Sequence, residues 1–326
     1  MLTRRSLLAA TAIAALAIAP ANAADWPADK PIRLIVASGA GGNADVVARI
    51  VAAELEPLLD QRILVENLSA ASGMQATEAV SEAEPDGYTL LVGTSSQLVH
   101  NIALFEPLPV DIRARLRGVA MMNEVPMVMV VNNDDPSQNL EDVIAAIKEN
   151  PESFQYGSGP TGTTTHITGA LFNDRIAADV LHIPYPKSGE AMRDLIGGRI
   201  SYTFNPSLTA VPQVRDGAVR PIGVSASERL DAIPDVPTMS EAGLDGFVSQ
   251  TWNTIAAPID TPDAIVNRLN ELVNQVVQSD EIKSRLENLG SIVPAAMSPA
   301  DVDQYYEVQR DTWIPVVRAT GARRGQ

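Results

Sequence analysis

The stretch Ile32–Arg49, IRLIVASGAGGNADVVAR, decides the fold of this chain. Its first residues form a β-branched, apolar run typical of a buried strand, and its last residues place apolar side chains at helical spacing. The glycine-rich turn Gly39–Gly42 joins the two halves. A helix that starts directly after such a turn leaves its first N–H groups without partners, with the positive end of the helix dipole behind them. The stretch therefore predicts a site suited to an anion.

Two other interpretations of this turn stay open. A dinucleotide-binding turn of the form G-x-G-x-x-G would require glycine at the position of Ala44, so the spacing argues against it. A tight turn with a purely structural role is the second alternative. The choice between them depends on what the rest of the chain places beside the turn.

Strand-like and helix-like segments alternate from Pro31 onwards, which predicts an α/β protein with a parallel sheet covered by helices. Ligands of such sheets bind beyond the carboxyl ends of the strands. That rule places Ser38–Asn43 and the small, hydroxyl-bearing stretch Thr94–Ser96 on one rim. A second α/β series follows the apolar run Val125–Val131, and its first strand leads into the hydroxyl-rich loop Ser158–His166. Two such loops from two lobes suit one small anion between them.

The length of 326 residues exceeds one comfortable core and predicts two domains joined by two crossings of the chain. We place a signal peptide at residues 1–23, a discontinuous domain 1 at 24–125 plus 252–326, and domain 2 at 126–251.

The first 23 residues have the organisation of a secretory signal. Arg4 and Arg5 precede an apolar segment, and Ala21–Ala23 forms a small-x-small cleavage site, so cleavage is expected near Ala23/Ala24. Export by the Sec or the twin-arginine route would place the mature chain in the periplasm. An uncleaved signal anchor is the alternative.

Composition excludes several classes of partner and chemistry. The formal net charge is −16, and it becomes −18 when the two arginines of residues 1–23 are removed. Such acidity argues against nucleic acid or an anionic membrane as partner, although oriented N–H dipoles can still make a local anion site. The chain has no cysteine, which excludes disulfides and thiolate sites.

Motifs for catalysis are weak. The histidines His100, His166 and His182 lie in different units without metal-binding spacing, and no nucleophile elbow is present. Ser158 with His166 is the one nucleophile–base pair that the sequence offers for a secreted hydrolase or lyase. We expect no enzyme activity, no metal and no cofactor.

Several segments, in order, carry a resemblance to a known family. They are Trp26-Pro27-x-x-Lys30-Pro31-Ile32-Arg33-Leu34-Ile35-Val36, Gly41-Gly42-x-x-Asp45-x-x-Ala48-Arg49, Val65-Glu66-Asn67, Pro85-Asp86-Gly87-Tyr88-Thr89-Leu90-Leu91, His182-x-Pro184-Tyr185, Pro234-Asp235-Val236-Pro237-Thr238, Glu241-Ala242-Gly243, and Trp252 ahead of Ala257-Pro258. On these segments the chain resembles the periplasmic solute-binding proteins of tripartite tricarboxylate transporters, known as the TctC or Bug family.

The resemblance implies an α/β, two-lobed periplasmic-binding-protein fold of the Venus-flytrap, type II-like kind, with two hinge crossings. It implies capture of a di- or tricarboxylate or related organic acid in the cleft for uptake, without metal, by backbone N–H groups, hydroxyls and waters. Neither rim loop contains lysine or arginine, which agrees with this mode of binding. Large and small membrane transporter subunits are the implied partners of a monomer. A binding protein that reports to a membrane signalling receptor is the alternative.

Ligand-binding candidates are carried over by position from the family. The first lobe supplies Ser38, Gly39, Ala40, Gly41, Gly42, Asn43, Thr94, Ser95 and Ser96, and the second supplies Thr161, Gly162, Thr163, Thr164, Thr165 and Asn205. Asp45 is expected to support the helix start instead. Where the family has Pro-aromatic before the turn and proline before Gly-Gly, this chain has Ala37–Ser38 and Ala40. These departures predict a roomier, more polar pocket.

Overall fold

Strand β1 (Ile32–Val36) lies inside the first lobe, paired in parallel with β2 (Ile63–Asn67) and β3 (Thr89–Thr94). The computed structural model describes residues 26–28, 30–105 and 107–319, so the predicted signal peptide lies outside the described residues. None of the helices in the described ranges is long and apolar enough to cross a membrane.

Helices cover both faces of this first sheet, as a βα pattern requires. They are α1 (Asn43–Leu59), α2 (Met74–Ser81), α3 (Asn101–Leu104), α4 (Ile112–Arg115), α9 (Asp263–Val277), α10 (Asp280–Glu287) and α11 (Pro299–Ala319). One apolar cluster joins the sheet to α1, α9 and α10, and a second joins its other face to α2 and α11. A 3-10 turn (Ala70–Gly73) precedes α2, and a π-helical turn (Ser96–His100) leads into α3.

The second lobe repeats this organisation around its own sheet. Its elements are α5 (Leu140–Glu149), the 3-10 turn Pro151–Ser153, β5 (Gln155–Ser158), α6 (Thr164–Arg175), β6 (Leu181–Pro184), α7 (Ser188–Ile196), β7 (Tyr202–Pro206), α8 (Ser207–Arg215) and β8 (Arg220–Val224). Strand β5 pairs in parallel with β6 and β7. Two further apolar clusters cover the two faces of this sheet.

Strand β4 (Leu116–Val131) belongs to both lobes. From Leu116 to Pro126 it pairs antiparallel with β9 (Gln250–Pro258), and from Met127 onwards it pairs antiparallel with β7 and β8. Strand β9 continues the first sheet by pairing antiparallel with β3. The strand order is therefore β2-β1-β3-β9-β4-β7-β5-β6, with β8 beside β4.

The structure corrects part of the sequence-based description. A wholly parallel sheet was wrong for the middle of the molecule, because β4 and β9 run antiparallel to their neighbours where the chain passes between lobes. The sequence pattern predicts helices from Asn43 to about Leu59, over Leu140–Glu149 and over Pro299–Ala319, and the bounds of α1, α5 and α11 match them. The sequence pattern suggests Asn43 as the N-cap of α1, but Asn43 is already the first helical residue, so Gly42 is the N-cap.

Three tryptophans lie in or beside the first sheet. Trp252 of β9 is fully buried, and its ring stacks on that of Tyr306 of α11 with centroids 5.4 Å apart. Trp26 meets Tyr88 edge-on at 5.9 Å, and Trp313 lies 5.9 Å from the ring of His100. These contacts tie the hinge strand and the last helix into one packed unit.

The 3-10 turn Ala70–Gly73 holds consecutive residues in left-handed backbone conformation. Gly73 has φ +81°, and a Cβ added there would overlap the carbonyl oxygen of Ala37 and lie 2.5 Å from Nε2 of Gln97. The backbone of this turn therefore presses directly on the end of the first strand, and only glycine leaves room.

Replacing Gly73 with alanine should lower the free energy of unfolding by more than about 3 kcal/mol, because left-handed strain adds to the overlap with Ala37. Gly217→Ala is the matched control, since Gly217 has φ +68° but no atom within 4 Å of the added Cβ. The control should lose only about 1–2 kcal/mol. Urea unfolding measures both, and equal losses would contradict the steric argument.

Candidate functional site

A cleft of about 640 Å³ opens between the lobes, within the size range of small-molecule sites. Its first-lobe wall is the turn after β1 together with Thr94, Ser96 and Gln97. Its second-lobe wall comes from the loops that precede α6, α7 and α8. The cleft thus lies beyond the carboxyl ends of β1, β3, β5, β6 and β7, where the sheet architecture favours a ligand.

Four helices begin at this cleft without a side-chain cap. Their N-cap residues are Gly42 (α1), Thr163 (α6), Lys187 (α7) and Pro206 (α8), and all four line the cleft. The helices α4, α5, α10 and α11 have capping side chains outside the cleft, and α2, α3 and α9 start outside it without one. Uncapped helix starts leave N–H donors and the positive ends of helix dipoles facing the cleft. This arrangement favours an anionic ligand.

The turn before α1 has a fixed hydrogen-bond pattern. Gly42 N donates to Gly39 O at 3.1 Å, and the first helical bond runs from Val46 N to Gly42 O at 3.0 Å. The N–H groups of residues 43–45 precede that bond, so they have no partner within the helix. Asn43 and Ala44 line the cleft, so their N–H groups lie beside the space that a ligand would occupy.

Asp45 stabilises the glycine turn before α1 from the side away from the cleft, which it does not line. Its carboxylate accepts from Gly41 N at 2.8 Å and Asn67 Nδ2 at 3.0 Å, and it pairs with Arg49 Nη2 at 2.9 Å. Burial alone would raise the pKa of Asp45, but hydrogen bonds from Arg49, Gly41 and Asn67 outweigh it, so the pKa lies below its usual value. The Gly41 N–H is therefore used inside the protein.

A chain of side-chain amides links this turn to the hinge strands. Asn43 Nδ2 donates to Oδ1 of Asn253 in β9 at 3.1 Å, and Asn253 Nδ2 donates to Oδ1 of Asn123 in β4 at 2.8 Å. Asn123 Nδ2 then donates to Ser291 Oγ at 2.6 Å. Because Asn123 and Asn253 are fully buried, their amides need these partners, and the network fixes the start of α1 against the hinge.

Hydroxyl groups join the lobes at one end of the cleft. Thr164 Oγ1 lies 2.9 Å from Ser95 Oγ, and Thr164 N donates to Ser96 Oγ at 3.2 Å. Ser72 Oγ donates to Thr161 O at 2.9 Å. Much of the hydroxyl content of the loop 158–166 therefore serves contacts within the protein.

Twelve of the fifteen predicted ligand-binding residues line the cleft. They are Ser38, Gly39, Ala40, Gly41, Gly42, Asn43, Thr94, Ser96, Thr163, Thr164, Thr165 and Asn205. The other three do not: Ser95 bonds Thr164 and Thr251, Thr161 accepts from Ser72, and Gly162 N donates to His166 Nδ1. These three residues belong to loops that border the cleft, but the polar groups named here bond other groups of the protein.

Other cleft residues were missed by the sequence-based prediction. Gln97 lies behind Thr94, with its Oε1 accepting from Thr94 Oγ1 at 2.8 Å. Lys187, Glu190 and Arg193, from the junction of β6 and α7, also line the cleft. Lys187, Glu190 and Arg193 could have been predicted from their position. The β6–α7 junction, like the β5–α6 and β7–α8 junctions, is a strand-to-helix turn of the second lobe at the same sheet edge.

The predicted Ser158–His166 pair does not form. Ser158 Oγ donates to Gly159 O and lies 2.7 Å from His182 Nε2, whereas His166 Nδ1 accepts from Gly162 N at 3.1 Å. Ser158 is fully buried and does not line the cleft. A nucleophile enclosed in this way has no access to a bound solute, which argues against the hydrolase interpretation. Among the described residues, no group of three or more His, Asp or Glu side chains could hold a metal ion.

Stacked rings support the second-lobe loop. His166 and His182 stack with centroids 4.1 Å apart, and His182 stacks on Tyr156 at 4.7 Å. Burial lowers the pKa of His166 to about 4, and burial together with the neighbouring His166 lowers that of His182 to about 3. Burial also lowers the pKa of His100 to about 4. All three imidazoles are therefore neutral at neutral pH.

Comparisons with known proteins agree with one another. The profile of a family described as tripartite tricarboxylate transporter family receptor matches residues 47–322. Protein BugT of Bordetella pertussis is 32% identical over 94% of this chain and 93% of its own. A Rhodopseudomonas palustris protein solved with adipate has TM-score 0.88 and 29% identity over 92% of this chain and all of its own. MatC of the same species, solved with bound malate, has TM-score 0.83 and 30% identity over 88% and 99%.

Acid should destabilise this protein through its histidines before its carboxylates titrate. An imidazole ordinarily has a pKa of 6.5, so below that pH the histidines of the unfolded chain become protonated. The buried rings of the folded protein stay neutral, so the unfolded state binds more protons. The free energy of unfolding should fall between pH 6.5 and about pH 5, with a slope of up to about 1.4 kcal/mol per pH unit for each titrating ring.

Urea unfolding at several pH values measures this slope, and His182→Gln should reduce it. A free energy of unfolding that is level across this window, or a variant with the slope of the wild type, would contradict the assignment.

Proposed function

Because the chain belongs to the tripartite tricarboxylate transporter family of receptors, we propose that it captures a carboxylated small molecule in its cleft. The observation that carries the proposal is the group of four uncapped helix starts around one cleft. Family members of this kind are solute-binding proteins of transport systems, so the role is binding and delivery rather than catalysis.

Charge on the cleft wall supports an anionic ligand. The whole chain carries a formal net charge of −16, whereas the charged side chains that line the cleft, among the residues the structure describes, are Lys187, Glu190 and Arg193. The wall is thus positive by one unit before the helix dipoles are added. The cleft can therefore have a positive electrostatic potential although the protein as a whole is negatively charged.

Relatives indicate the chemical class of the ligand. The two Rhodopseudomonas palustris structures contain adipate and malate, which are both dicarboxylates. We propose that the ligand here is a dicarboxylate, a tricarboxylate or a related organic acid. Its contacts come from the twelve predicted residues that line the cleft, with the N–H groups of Asn43 and Ala44 binding one carboxylate.

The lobes are proposed to close about β4 and β9. The partner exchange of β4 between Pro126 and Met127, and the start of β9 at Gln250, support domain boundaries close to the predicted 125/126 and 251/252. A carboxylate that bridges the two walls would favour the closed form, because only that form supplies donors from both lobes.

We further propose a periplasmic location for a monomeric chain that delivers its ligand to large and small membrane subunits. The signal-like residues 1–23 and the family of transport receptors support this proposal.

Isothermal titration with adipate and malate, beside an uncharged sugar of similar size, tests the proposal. A carboxylate present at about 100 times its Kd should stabilise the folded protein by roughly 2.7 kcal/mol, which thermal unfolding also detects. The proposal fails if no organic acid of a wider screen binds while an uncharged solute does.

Gly42→Ala should weaken carboxylate binding about tenfold, roughly 1.4 kcal/mol, while the protein stays folded. The added Cβ would lie 3.0 Å from Gly39 O, so the turn that carries the free N–H groups must shift. Gly243→Ala is the control, because its Cβ meets no atom within 4 Å and Gly243 lies outside the cleft. Equal affinity in both variants would remove the turn from the site.

A further inference from the structure

Three charged side chains line the cleft, and all come from the junction of β6 and α7. Glu190 and Arg193 lie one turn apart on α7 and face each other, with Oε1 and Nη2 3.8 Å apart. Lys187, the N-cap residue of α7, is exposed and forms no salt bridge with any carboxylate of the described residues. Lys187 therefore carries the unbalanced positive charge of the cleft wall.

The side chain of Lys187 reaches across the cleft to the first lobe. Its Cγ and Cδ atoms lie 3.7 and 3.9 Å from the position that a Cβ on Gly39 would occupy. Gly39 belongs to the turn that presents the free N–H groups of α1. The aliphatic stem of Lys187 thus packs over the first-lobe turn, and its ammonium is two bonds beyond Cδ.

The N–H groups at the start of α1 and the ammonium of Lys187 bind anions in different ways. Backbone N–H groups and helix dipoles bind one carboxylate without a full counter-charge. A second carboxylate on the same ligand needs another partner, since two like charges in one cleft repel each other. Lys187 is the unpaired cation of the wall, and about 640 Å³ leaves room for a ligand longer than a simple monocarboxylate.

We propose that Lys187 determines specificity by binding the second anionic group of a dicarboxylate whose first carboxylate lies on the N–H groups of Asn43 and Ala44. This inference rests on the proposed function and narrows its ligand to dianions. Because Lys187 belongs to the second lobe and packs on the first, the contact also links ligand charge to closure.

Calorimetry with paired ligands and paired variants tests the proposal. Adipate and malate are each compared with the corresponding monoamide, which has nearly the same shape but one charge fewer. The proteins are the wild type, Lys187→Met, which keeps the stem over Gly39, and Lys148→Met on α5, outside the cleft.

The wild type and Lys148→Met should bind at least one diacid about tenfold more tightly than its monoamide. Lys187→Met should lose that preference while binding the monoamide as the wild type does. The preference of the wild type should also shrink when salt rises from about 0.05 M to about 0.5 M, because the contact is partly exposed.

The proposal is overturned if Lys187→Met keeps the wild-type preference, or if the wild type binds diacids no better than their monoamides. In both cases the proposed function stands as long as carboxylates bind. Failure of the proposed function has a different signature, namely that no organic acid of the wider screen binds any of the three proteins.

Discussion

The hydrogen-bonded pairing of β4 with β9 is the constraint on which the two-lobed architecture depends. Over Leu116–Pro126 the two strands form one antiparallel ribbon inside the first sheet, and β4 then continues without a break into the second. A proline at the exchange point is suited to this change of partner, since it has no N–H to donate. Both lobes are therefore held by a continuous strand, and the cleft forms where the helices on either side of that strand begin.

The cleft also depends on which polar groups are already satisfied. Asp45 accepts from Gly41, Thr165 Oγ1 accepts from Gly159 N at 2.9 Å, and the hydroxyl of Thr164 bonds the opposite lobe. Groups left free at the cleft include the first N–H groups of α1, the hydroxyl of Ser38, which has no hydrogen-bond partner, and the ammonium of Lys187. Donors fixed by a folded backbone need little reorganisation when an anion arrives, which suits a protein that must bind reversibly.

Local sequence pattern predicted much of this structure, and its failures have physical causes. The helices α1, α5 and α11 were predicted with their observed bounds from helical patterning together with start signals such as the glycine turn before α1 and Ser298-Pro299 at α11. The residues of β4 before Val125 and the turn Ser96–His100 were missed, since their conformation is set by packing between distant segments. Twelve of the fifteen residues carried over by position from the family line the cleft. Ser95, Thr161 and Gly162 do not line the cleft, because their polar groups bond other protein groups, and these bonds cannot be inferred from spacing. Lys187 was missed because its position beside Gly39 depends on the tertiary arrangement.

The positions of the three tryptophans have a consequence for spectroscopy. Trp26, Trp252 and Trp313 all belong to the first lobe or its hinge strand, and residues 127–249 contain none. Tryptophan fluorescence of this protein, excited selectively at the red edge of the absorption band, therefore reports on one lobe only. Trp252 lies in the strand that pairs with β4 through the hinge, and its ring stacks on Tyr306. Tryptophan emission thus distinguishes changes around β9 and the first lobe from events confined to residues 127–249, which contain no tryptophan.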